Sequence, residues 1–148
     1  MAADPRQERV RTLGRLALLQ RQLQRLAETE LADTNRQRAE VEEQIARLIE
    51  AMGGFSHVHR LFPHLYAKRL DKLKERGQAL TGKARLQEQK ARREKTRCER
   101  IGDHLDNVLE EASRQSDEDE LLDLVEAASG RARPSDTRPQ ASRKLRGA

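Results

Sequence analysis

Residues 70–112 read LDKLKERGQALTGKARLQEQKARREKTRCERIGDHLDNVLEEA. Within them Leu70, Leu73, Gly77, Leu80, Ala84, Gln87, Ala91, Glu94, Cys98, Ile101, Leu105, Val108 and Ala112 recur in unbroken steps of three and four. Such steps place side chains on one narrow stripe of a long helix, which is the seam of a coiled coil. Upstream, Leu31, Thr34, Arg38, Val41, Ile45, Leu48 and Met52 keep the same spacing, and Gly53, Gly54 and Pro63 interrupt the pattern between the two runs. Two stripes joined by so short a breaker bury each other most simply by folding back. The expected fold is all-α: a long two-helix antiparallel coiled-coil hairpin with a short acidic C-terminal helix and a disordered basic tail.

The bulk composition agrees with a thin structure. Hydrophobic residues make up 35% of the 148 and charged residues 37%, and the aromatics are one Tyr and two Phe. A thick core needs more apolar volume, whereas a two-helix seam needs only about two residues in seven. No run of about 18 apolar residues exists to span a membrane. The first residues lack the apolar stretch of a secretory signal. A single cysteine, Cys98, excludes an internal disulfide and fits a reducing, cytoplasmic setting.

The net charge of +5 is unevenly laid out. Residues 1–52 carry nine basic and nine acidic side chains, and residues 60–112 carry fourteen and nine. Residues 113–128 carry one basic and six acidic, and residues 129–148 six basic and one acidic. These sign changes coincide with the expected segment boundaries. Helix one is expected at about 5–52, opened by Asp4 as N-cap with Pro5 behind it. Its first stripe reads Val10, Leu13, Leu16, Leu19, Leu23 and Leu26, and the step of five from Leu26 to Leu31 predicts a slip of phase. Gly53-Gly54 is expected to close it in left-handed geometry.

The connector 53–63 holds Phe55 and Phe62, with Tyr66 just beyond. Helix two is expected at about 64–113, roughly 75 Å long against roughly 70 Å for helix one. An acidic amphipathic segment, 117–128, either forms a short helix of its own or continues helix two. The tail 129–148 is disordered by composition. Antiparallel pairing about residue 58 faces positions whose numbers sum to roughly 116. The partner stripe is thin from Ala84 to Cys98, so the middle is expected to be weaker than the two ends.

Chemistry is sparse along the chain. His57, His59 and His64 need a fourth donor to hold zinc, and Cys98 sits roughly 50 Å from His64 along the helix. No phosphate loop or catalytic triad is present, and a two-helix structure encloses no pocket for one. Neither an enzyme nor a cofactor is expected. Lys68–Arg100 holds thirteen basic and five acidic residues, but the acids are interspersed and no aromatic beyond Tyr66 is there to stack on bases. Phe55, Val58, Leu61, Phe62, Leu65 and Tyr66 exceed what a tight turn needs and form the best candidate docking patch.

Two long charged helices broken near 55–65, an acidic Ser116–Asp123 and a basic tail resemble the FliJ/YscO family, the stalk proteins of flagellar and virulence type III export machines. The likeness covers roughly residues 8–128 and includes Leu16–Gln22 and Gln87–Lys95. It implies a non-enzymatic adaptor, cytoplasmic and peripheral to the inner membrane when in complex. Its open end would enter a hexameric export ATPase, and its early second helix would touch the cytoplasmic domain of the export gate. Export chaperones are further implied partners. On this chain the gate contact falls on Tyr66, Leu70 and Leu73, and the family's next polar contact falls on Gly77, which has no side chain to supply it. The expected seam comprises Leu16, Leu19, Leu23, Val41, Ile45, Leu48, Leu80, Cys98, Ile101, Leu105 and Val108. The alternative readings are a basic coiled-coil nucleic-acid-associated protein and a generic scaffold whose helices pair between chains.

Overall fold

The structure is a computed structural model that describes residues 4–54 and 61–131. Two long helices account for them: α1, Pro5–Gly53, and α2, Pro63–Arg131. Asp4 caps α1, its carboxylate accepting a hydrogen bond from the Arg6 backbone N–H at 3.0 Å, with Pro5 in the first turn and Glu8 favourably placed at the positive end of the dipole. At the other end the expected left-handed glycine cap does not form. Gly53 stays helical and Gly54 turns to φ −71°, ψ 148°, its N–H donating to Ala51 O at 3.4 Å. The chain therefore leaves α1 extended, and no described glycine has a positive φ. The tail beyond Arg131 lies outside the described residues, as do Phe55, His57, Val58 and His59 of the connector.

The chain divides into two compact units, the first ending at Val108. In the first, α1 and α2 pack against each other in opposite directions. Gln20 bonds to Glu94, Glu30 pairs with Lys90, and a Cβ added at Gly77 would lie 3.6 Å from Val41 Cγ1. The α2 stripe quoted above is buried or half-buried at every position from Leu70 to Val108. On α1, Val41 and Thr34 are each 2% exposed and Leu48 is buried, as the second stripe requires, although Met52 stays exposed.

The first half of α1 departs from the expected stripe. Leu16, Leu19 and Leu23 are exposed by 44%, 53% and 42%, and the buried positions are Ala17, Gln20 and Ala27. With half-buried Val10, Leu13, Gln24 and Leu31 these continue the 3-4 phase of Thr34, Val41 and Leu48 without a slip. Two causes select this face. Burying the leucines would turn the helix by one residue, about 100°, between two halves of a continuous α1. The opposing α2 stripe is small and polar, with Ala84 and Ala91 buried and Gln87, Glu94 and Cys98 half-buried, so it offers a stripe of leucines little apolar surface to cover.

Gln20 supplies the polar match. Its Nε2 donates to the Glu94 backbone carbonyl at 3.3 Å and to the Glu94 carboxylate, which also accepts from Arg97 at 3.2 Å. Replacing Gln20 by leucine alone leaves a carboxylate whose side chain is only 12% exposed against an apolar neighbour, and should lower stability by about 1–3 kcal/mol. Replacing both residues by leucine should restore or exceed the original stability while relaxing the register, because this polar match in the seam is gone. Denaturant melts of the two single variants and the double variant give the coupling directly. A double variant weaker than either single one contradicts this role.

In the second unit α2 continues unbroken through the acidic segment to Arg131, so 117–128 extends helix two instead of forming a helix of its own. Its apolar residues Leu121, Leu122, Leu124 and Val125 are exposed by 61–66%.

Candidate interaction surfaces

The aromatic patch is only partly assembled among the described residues. Pro63 starts α2, and the Leu65 N–H donates to Phe62 O at 3.2 Å, setting Phe62 at the helix entrance. Phe62 and Leu65 are exposed by 49% and 55%, with Tyr66 half-buried beside them. Together with Arg69 they line a shallow cleft of about 240 Å³. Phe62 meets His64 edge to face at 6.5 Å between ring centres. Leu70 and Leu73 are half-buried because they belong to the seam, so they present only their rims next to this cleft.

A second surface lies where α2 has its smallest residues. Gly77, Thr81 and Gly82 open a groove of about 490 Å³ between the helices, walled by Arg38, Lys74 and Arg85. A neighbouring groove of about 420 Å³ shares Arg38, Thr81 and Arg85. Arg38 Nε is buried without a hydrogen-bond partner. Both grooves lie between Lys74 and Glu88 on α2, and the second reaches Ala84, where the thin stretch expected from composition begins.

The basic stretch Lys68–Arg100 lies mostly on exposed positions of α2. Lys90 crosses to Glu30 of α1 at 3.1 Å, while Arg92 pairs with Glu88 within its own helix at 2.7 Å. Exposed pairs of this kind contribute under about 1 kcal/mol each. Cys98 is a free, half-buried thiol in the seam. No cluster of three metal-ligating side chains exists among the described residues, of which His64 is one. Among those residues no helix is long and apolar enough to cross a membrane.

The third surface was hidden from pattern reading by being counted as seam. Leu16, Leu19, Leu23 and Leu26 form an exposed 3-4-3 stripe on α1, beside the buried positions. The signal that separates this stripe from the seam is phase. Continuing backwards the alternation set by Met52, Leu48, Ile45, Val41, Arg38, Thr34 and Leu31 reaches Ala27, Gln24, Gln20 and Ala17, and no leucine of this group.

Comparison with known proteins assigns no family to the chain: no family model matches it, and no curated protein or solved structure does so.

Proposed function

We propose that this chain is an antiparallel coiled-coil hairpin serving as a non-enzymatic stalk of a flagellar-type (type III) protein export apparatus, coupling a hexameric ATPase to the membrane export gate. The observation that carries the reading is the pairing of two long helices along one seam with an exposed aromatic and apolar cluster, Phe62 and Leu65, beside the connector. A thin helix pair offers partners its ends and faces, and an exposed aromatic edge is the kind of anchor on which binding energy concentrates. In this reading the cluster meets the cytoplasmic part of the gate, and the end carrying the first turns of α1 meets the ATPase. The protein works in the cytoplasm at the inner membrane, with export chaperones as further partners.

Copurification with a hexameric P-loop ATPase tests the first contact. For the second, Phe62→Ala combined with Tyr66→Ala should weaken gate binding about tenfold or more with helicity unchanged by circular dichroism. Unchanged binding removes the cluster from the gate contact. Salt-sensitive retention of duplex DNA with no ATPase recovered would favour the nucleic-acid reading instead.

A further inference from the structure

Residues 9–27 contain five arginines, at 9, 11, 15, 21 and 25, and no acidic residue. That stretch carries the uncovered leucine stripe. The stripe's 3-4-3 spacing is that of a seam, so α1 has two seams offset by one residue: Ala17, Gln20 and Ala27 face α2, whereas Leu16, Leu19, Leu23 and Leu26 are exposed beside them. A helix with two adjacent seams packs against two helices. Exposed leucines in this number and spacing exceed the single apolar residues normal on a surface.

The chain itself holds the complementary surface. From Asp117 to Glu126 there are six acidic residues and no basic one, and Leu121, Leu122, Leu124 and Val125 cover one side of about one and a half helical turns. Of the arginines in residues 9–27, Arg15 borders the stripe, Arg11 lies further round, and Arg21 and Arg25 project from the far side of the helix. It is the net positive charge of the stretch that disfavours a copy of itself and attracts an apolar helix bordered by carboxylates. We infer that the leucine stripe of α1 docks the acidic helix Asp117–Glu126 of a second copy of this chain. Each copy has one surface of each kind, and a reciprocal exchange between two copies covers both. The inference stands on the charge and apolar patterns alone and does not require the export role.

Sedimentation of the full chain tests it. At about 100 µM and low salt the chain should sediment as a dimer, and raising salt from about 0.05 to 0.5 M should weaken the dimer at least tenfold. Leu19→Gln with Leu23→Gln should give a monomer of unchanged helicity, since both side chains are exposed. Leu121→Gln with Val125→Gln should do the same from the other side. An equimolar mixture of the two variants should recover part of the dimer, through the one stripe-to-helix contact that a mixed pair can form. Four results overturn the inference: a monomeric parent chain, dimers in either variant alone, no recovery on mixing, or a dimer indifferent to salt.

Discussion

Replacing Gly14, Gly82 and Gly102 together by alanine is expected to raise the melting temperature by about 5–12 °C. All three lie inside α1 or α2, and an added Cβ meets nothing within 4 Å at any of them. None needs glycine for its backbone, since no described glycine has a positive φ. Each glycine inside a helix is less favourable than alanine by about 0.8–1.0 kcal/mol, because the unfolded chain loses more freedom there. The sites are far apart, so the three gains add to about 2.5–3 kcal/mol. Thermal melts followed by helical circular dichroism read the shift. A triple variant that melts no higher than the parent would mean that one of these glycines is needed for a bend absent from this conformation.

Leu48→Ala is expected to act in the opposite direction and by a similar amount, lowering stability by about 2–4 kcal/mol. Leu48 is a large apolar residue, 8% exposed, in a seam whose other buried members are mostly Ala, Thr and Gln. A seam so poor in bulk has little else to close over the cavity. The control is Leu19→Ala, which removes the same atoms from a side chain 53% exposed and should change stability by no more than about 0.5 kcal/mol. Measured in parallel by urea denaturation, the two substitutions decide which face of α1 is the seam. Equal costs would restore the leucine stripe to the interior and contradict the packing described here.

The helical class and the whole α2 seam could be read from the amino acids, because from Leu70 to Val108 the period never breaks and no competing stripe exists on that helix. The pairing sum near 116 also agrees with Gln20 bonded to Glu94 and Val41 set against Gly77. The early α1 seam was not legible by the same rule. Two stripes one residue apart compete there, and apolarity favours the one that solvent keeps. What decides is the partner: small and polar positions on α2 accept Ala17, Gln20 and Ala27, and that preference is invisible until the two helices are considered together. The end of α1 misled for a local reason, since two successive glycines permit a left-handed cap without requiring one. As for the docking patch, Phe62 and Leu65 are exposed as a patch needs, whereas Leu70 and Leu73 serve packing first, and their seam spacing already said so.

The Gln20–Glu94 pair has a kinetic consequence. Its members stand 74 residues apart, about twice the separation of Val41 and Gly77. Contacts beside the connector close the shorter loops, so folding nucleates there and zips toward the first turns of α1. A chain that zips one heptad out of step still meets apolar neighbours along most of the route. On reaching this pair, however, it finds Gln20 opposite Gln87 or Ile101, and Glu94 opposite Leu13 or Ala27. Glu94 then keeps Arg97 but loses the Gln20 amide, which weakens that register, and the misaligned chain reopens more readily than the native one. The amide and carboxylate thus proofread the folding route at the point where an error in register is last reversible.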